Sequence, residues 1–272
     1  MPVQHIYRPS STGEGLFYGW FSAMHTRVDI AMFGCRSENE WNQIAEQIYQ
    51  EVLRLEKIGN CYDESSELAW VNRHASIRPV ALSDELYEII SICLDYHAQT
   101  LKCFDVTVHS KNYGPDTMMK VCLDKNERTL FYQSPDVFIN LSGFIKGYAL
   151  EKVRTLLREH DVADALVNLG NSSILAIGNH PNGQGWKVGE GYILHDQCLT
   201  VSGNDSETRR HIVSPLTGEF VEGRASIFVV TESGYIGEVL STALFAATDE
   251  QRSWLLKELD SLIVDCKIEM NN

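Results

Sequence analysis

An α+β fold class follows from three features of the sequence. Short apolar runs with strand-like alternation are interleaved with segments whose apolar residues recur every three or four positions. Gly- and Asn-containing turns separate several of the strand-like runs, as hairpins require. No repeat, low-complexity stretch or Pro/Ser linker divides the 272 residues, so residues 1–272 read as a single domain of one or two lobes.

The elements follow in order. RVDIAMF (Arg27–Phe33) predicts a strand. A long helix is expected from Glu38 to Ile58, with Trp41, Ile44, Ile48, Val52, Leu53 and Leu55 at helical spacing. GNCYDESSELAWVNRHA reads as irregular, and Ser83 then caps a helix from Asp84 to about Leu101. VCL and TLFYQ flank the turn-forming DKNER and predict a hairpin. VFINLSG reads as a strand ending in a turn, and SGFIKGYALEKVRTLLREH runs into a helix with Ala149, Val153, Leu156 and Leu157 on one face. ADALVNLG, SSILAIG, WKVGE, CLTVSG and ASIFVVT are further strands, and a last helix is expected near Ile236–Ala247.

Composition narrows the function classes. The apolar fraction of 44% and charged fraction of 22% are those of a globular protein, not of a fibrous or disordered chain. A net charge of −14 argues against tracking a nucleic-acid backbone, because such affinity comes mostly from cationic contacts. A phosphorylated ligand would then need a metal or a few well-placed cations. The seven scattered cysteines contain no C-x-x-C pair, which predicts reduced thiols and no zinc site. MPVQHIYRPSSTGEGLFYGW shows neither a basic-then-apolar segment nor a lipobox, so a cytoplasmic location is expected, without a membrane span.

Five stretches carry chemistry. In NLSGFIKGYALEKV, Ser142 and Gly143 permit a tight turn and Lys146 sits at a helix start, where free amides and a cation suit a phosphate. The same stretch also reads as an ordinary strand–helix connection. In GEVLSTALF, Glu238 and Thr242 lie four apart on one helix face, a carboxylate and a hydroxyl that with one backbone carbonyl suit Mg²⁺; a solvated helix face is the plainer reading. His211 lies between a polar loop and a Pro-Leu-Thr-Gly turn, placed to relay a proton or stack on a ring; a lone histidine, one of nine here, is more often structural or merely exposed. Asp105 either caps the next element or binds a ligand, with capping the default. Tyr62 on its loop offers an aromatic face or is an ordinary amphipathic tyrosine.

Taken in order, these stretches resemble the FAD:protein FMN transferase family, also called the ApbE or Ftp family. The family's pattern runs M-G-T, F-S-x-Y-x-x-x-S-E-L-x-x-x-N, G-x-F-D-x-T-V, D-L-G-G-I-A-K-G-Y-A-x-D, L-V-N-x-G-G, S-G, H-I-x-D-P-x-T-G and D-A-L-S-T-A. Here the counterparts are MHT, NCYDESSELAWVN, CFDVTV, NLSGFIKGYALE, LVNLGN, SGN, HIVSPLTG and EVLSTA, spread over about Phe21 to Thr248.

The resemblance implies a mixed α/β fold with a T-fold-like core and a ligand cleft between two lobes. It also implies transfer of the FMN part of FAD to a Thr or Ser hydroxyl of a target flavoprotein, with release of AMP and with Mg²⁺. The acceptor would carry the motif D-G-x-T/S-G-A-T/S. By the same resemblance Glu238 and Thr242 hold metal, with a carbonyl near Gly143. Lys146 lies at the diphosphate, and His211 beside the flavin and the incoming hydroxyl. Met24, Tyr62, Asp105, Ser202 and Gly203 line the FAD pocket.

Six positions depart from the pattern: Asn140, Ser214 and Glu238 stand for Asp, and His25, Asn171 and Cys103 for Gly. Glu for Asp keeps the charge but lengthens the arm by a methylene, which matters to an ion preferring octahedral ligands at about 2.1 Å. The two lost acids leave two other outcomes open from sequence: a flavin-binding protein without transfer, or an FAD pyrophosphatase yielding FMN and AMP.

Overall fold

The computed structural model describes residues 3–271 apart from 10, 12, 190, 204–211 and 222–223. Strands β1 (Gln4–Pro9), β2 (Gly15–Ala23) and β3 (Thr26–Gly34) form a meander, followed by helices α1 (Glu38–Gly59) and α2 (Glu67–His74). After β4 (Val80–Ala81) come α3 (Asp84–Gln99), the hairpin β5 (Val121–Asp124) and β6 (Thr129–Tyr132), and α4 (Ile145–Glu159). Then follow β7 (Asp164–Leu169), β8 (Ser173–Ile177), β9 (Trp186–Val188), β10 (Tyr192–Leu194), β11 (Cys198–Gly203) and β12 (Arg224–Thr231). The chain closes with α5 (Gly234–Ala246), α6 (Asp249–Glu258) and β13 (Asp265–Asn271). This is the expected mixed α/β class.

Eight strands make one sheet in the order β1-β2-β3-β7-β8-β11-β12-β13, with every neighbouring pair antiparallel. Helices α1, α4 and α5 cover one face. The short β9–β10 hairpin covers part of the other, where Trp186, Val188 and Leu194 pack on Ile174, Ala176, Leu199 and Val230. Strand β8 is therefore buried on both faces. Its alternation sends Ile174 and Ala176 to the hairpin and Ser173, Leu175 and Ile177 to the helices.

Local signals account for much of this. A capping box between Ser37 and Glu40 starts α1, and Trp41, Ile44, Ala45, Ile48, Val52 and Leu55 form its buried stripe. Ser83 caps α3 as expected, but the helix stops at Gln99 because Leu101 and Lys102 take left-handed φ values of 53° and 65°. The predicted hairpin is present as β5 and β6.

Two expectations change. The stretch read as irregular holds α2, whose N-cap Ser66 accepts from the Ala69 amide at 3.1 Å; burial of Leu68 and Val71 sustains these two turns. VFINLSG is not a strand. The Asn72 side chain takes both polar groups of Ile139, Nδ2 donating to its carbonyl at 2.9 Å and Oδ1 accepting its amide at 3.0 Å. A side chain here stands in for a neighbouring strand, so the backbone is satisfied without a ladder. Among the described residues, no helix is long and apolar enough to cross a membrane.

Candidate functional site

A cleft of about 620 Å³ opens where the turn before α4, the end of β11, the β2–β3 turn and helix α5 converge. That volume is in the range of small-molecule sites. Met24, Tyr62, Asp105, Gly143, Lys146, Ser202, Gly203, Glu238 and Thr242 all line it. His211 lies outside the described residues.

Its centre is made by the crossing of α4 and α5. A Cβ on Gly147 would sit 2.3 Å from the Gly234 carbonyl oxygen and 2.6 Å from Glu238 Cγ; one on Gly234 would sit 2.6 Å from the Gly147 carbonyl oxygen. Only paired glycines allow that approach, and it carries Lys146 and Glu238 to the same spot. The Lys146 ammonium donates to Ser172 Oγ, and Ser173 Oγ donates to Glu238 Oε1, with the two serine hydroxyls 3.3 Å apart. Burial pushes the Glu238 carboxyl above the usual carboxylate range, against the opposing pull of Lys146 and the Ser173 hydrogen bond. A carboxylate only 4% exposed is costly to ionise, and Lys146 and Ser173 offset only part of that cost, which marks Glu238 as a functional candidate.

Thr242 lies one helical turn beyond Glu238 and also lines the cleft. Its hydroxyl is 3.3 Å from Ser202 Oγ, which is 2.9 Å from Ser241 Oγ. A Cβ on Gly143 would be 3.6 Å from Thr242 Oγ1, so the backbone of the 140–146 turn lies against this hydroxyl.

The donors are hard oxygens: one carboxylate, several hydroxyls and the adjacent backbone. Among the described residues no three His, Cys, Asp or Glu side chains group around a common point. The set fits a cation that takes one carboxylate and completes its shell with water and phosphate oxygens, which is the habit of Mg²⁺.

Several departures from the family pattern find a local account. Asn140 Oδ1 accepts from the Ser142 amide at 2.9 Å and hydroxyl at 2.6 Å, as an aspartate would. Its Nδ2 donates to Tyr62 Oη at 3.0 Å, which an aspartate could not do. Tyr62 is 68% exposed, leaving its ring free to face a ligand. Met24 and His25 both hold left-handed φ, 50° and 57°, a conformation glycine adopts without strain. The turn is held by the Met24 amide donating to Glu56 Oε2 at 2.9 Å and by Asn60 Nδ2 at 3.3 Å from His25 Nε2. Asn171 also sits at a left-handed φ of 61°, which Asn tolerates, and its amide donates to Asn168 Oδ1 at 2.9 Å. Cys103 lines the cleft as a thiol pushed up by burial to about 11. Ser214 shapes a turn through its backbone, its amide donating to the Glu219 carbonyl at 2.8 Å.

Asp105 behaves as a cap. Oδ1 accepts from the Thr107 amide and hydroxyl, each at 2.6 Å, and Oδ2 from Tyr113 Oη at 3.0 Å. Its side chain has no exposed surface, so its backbone is what meets the cleft. Ser172 and Ser173, which hold Lys146 and Glu238, are absent from the sequence-based candidates. The one available signal was the helix-facing register of Ser173 in β8.

The chain and its fold have counterparts among known proteins. A family model described as "ApbE family" matches residues 24–264. A protein of Chlamydia trachomatis serovar D named FAD:protein FMN transferase is 26% identical over 261 residues, covering 82% of each chain. One of the same name from Chlamydia muridarum is 24% identical over 288 residues, covering 92% of this chain and 90% of that one. Among solved structures, the flavin transferase ApbE of Vibrio cholerae superimposes with a TM-score of 0.77 at 18% identity, covering 99% of this chain and 94% of that one. The ApbE protein of Thermotoga maritima gives 0.78 at 22% identity, covering 94% and 97%.

Proposed function

This chain belongs to the ApbE family, and we propose that it transfers the FMN part of FAD to a Thr or Ser hydroxyl of an acceptor flavoprotein, releasing AMP. The observation that carries this reading is the buried Glu238 carboxylate, held by Ser173 near Lys146 and one turn from Thr242 in a ligand-sized cleft. Diphosphate cleavage needs its negative charge balanced, and that is what a lysine beside a cation site supplies.

The acceptor oxygen attacks the FMN phosphorus, the bond from that phosphorus to the bridging oxygen breaks, and AMP leaves with that oxygen. The hydroxyl proton must go to a base, for which His211 is the candidate by family resemblance. Lys146 binds the diphosphate and offsets charge that builds on the leaving phosphate. Glu238 and Thr242 would hold Mg²⁺, with Ser202 supporting Thr242 and the 140–146 turn close by. When bound, that cation would polarise the phosphoryl oxygens. Tyr62 and Met24 offer aromatic and thioether surface to the flavin, and Gly143, Ser202 and Gly203 wall the pocket. The acceptor would carry D-G-x-T/S-G-A-T/S.

The test incubates purified protein with FAD and Mg²⁺, with and without an acceptor bearing that motif, reading acceptor mass and free AMP. An acceptor heavier by one FMN, lost in Glu238→Ala, supports transfer. Free FMN plus AMP in equal yield with or without acceptor replaces transfer by hydrolysis. Bound but intact FAD overturns catalysis altogether.

A further inference from the structure

Tyr113 does not line the cleft, yet it joins two of its walls. Its hydroxyl lies 3.0 Å from Asp105 Oδ2 and 3.1 Å from the Pro215 carbonyl oxygen. A carbonyl and a carboxylate can only accept, so the single phenolic proton is shared between them. Burial and the neighbouring Asp105 carboxylate push the phenol well above its usual range, so it keeps that proton at neutral pH. The ring also underlies the turn: a Cβ on Gly218, at φ 73°, would be 3.4 Å from Tyr113 Cδ1.

What Tyr113 holds is a small hairpin over residues 212–221. Val213 bridges Phe220, the Gly218 amide donates to the Ser214 carbonyl at 2.8 Å, and the Val221 amide donates to the Ile212 carbonyl at 2.9 Å. These bonds close the hairpin on itself. Ile212, Val213 and Pro215 line the cleft. The Tyr113 hydroxyl thus ties this hairpin to the body by a hydrogen bond, beside the packing of Ile212 and Val221 on the main core. At the other end, Asp105 is fixed by Thr107, and the next carbonyl, of Val106, accepts the Asn140 amide at 2.8 Å. The connection therefore runs from the hairpin to the turn that presents Gly143 and Lys146.

We propose that Tyr113 is a positioning residue for ligand binding, clamping the 212–221 hairpin to Asp105 so that Ile212, Val213 and Pro215 form a preset cleft wall. A wall ordered before the ligand arrives need not be ordered by it, which strengthens binding. The effect on affinity rests on the reading that the cleft takes FAD; the clamp itself does not.

Tyr113→Phe removes the hydroxyl and leaves the ring. FAD affinity would be followed by flavin fluorescence with Mg²⁺ present, and amide hydrogen exchange compared between the 212–221 hairpin and α1. The expected result is about tenfold weaker FAD binding, the size of a lost hydrogen bond to a charged group. It is accompanied by faster exchange in 212–221, unchanged exchange in α1 and a modestly lower melting temperature, because the buried Asp105 Oδ2 loses its donor. Unchanged exchange in 212–221 overturns the clamp, and faster exchange with unchanged FAD affinity overturns its role in binding. If the wild-type protein binds no FAD, the transferase reading and the binding role fail together, while hairpin exchange still decides whether the clamp exists.

Discussion

Helices α1 and α5 lie on the same face of the sheet but are built on opposite principles. Helix α1 is amphipathic, begins with a complete capping box, and keeps its charges outside. Helix α5 buries nine of its thirteen residues, has no side-chain hydrogen bond from its own N-cap Ser233, and carries a buried carboxylate. Its first amide, from Gly234, donates at 2.7 Å to Glu151 of α4. Local chemistry stabilises α1, whereas α5 depends on its neighbours for its cap, its approach and its charge balance. The difference teaches where this molecule is rigid by default and where it is rigid for a purpose.

The sharpest way to break the contrast is Gly147→Ala. The added methyl meets the Gly234 carbonyl and Glu238 Cγ, so α4 and α5 must separate. A loss of about 3 kcal/mol is expected from overpacking against backbone, with FAD binding lost as well. Urea denaturation and a flavin titration read both. Stability and binding equal to wild type would mean that the crossing is loose.

Glu238→Gln tests whether the buried charge serves function. AMP release should fall at least about 100-fold, in line with losing an electrostatic contribution to the transition state, while thermal stability stays level or rises because a desolvated charge is removed. A fall in stability with activity retained would make Glu238 structural. Chelation of divalent cations from the wild type should reproduce the activity loss and leave the fold intact, as a circular dichroism melt would show.

Smaller effects follow at the two helix starts. Glu151→Ala uncaps α5 and deprives the buried Arg154 of a partner, with an expected cost of about 2 kcal/mol and a measurable loss of cleft affinity. Ser37→Ala uncaps α1 at about 1 kcal/mol and should leave FAD affinity untouched. Equal effects of the two on affinity would erase the distinction between the helices.

Sequence legibility follows the same division. Helices α1 and α3 and the β5–β6 hairpin were readable because caps, stripe and turn lie within each segment. Strands β1 and β2 were not, since QHIYRP is mostly polar and glycines interrupt the apolar residues of GLFYGWFSA. VFINLSG has the composition of a strand, but its ladder partner is the side chain of Asn72, 67 residues away. Nine candidate residues named from the sequence line the cleft. Asp105 shows the limit: its position was readable, but its engagement by Thr107 and Tyr113 was not.

Strand alternation, helix stripes and capping residues depend on neighbours a few positions apart, so they can be derived from the order of amino acids alone. The four-membered run from Lys146 through Ser172 and Ser173 to Glu238 cannot, because its members come from α4, the β7–β8 connection, β8 and α5. They meet only after Gly147 and Gly234 let two backbones touch. Burial then raises the Glu238 pKa, an effect that exists only once water has been excluded.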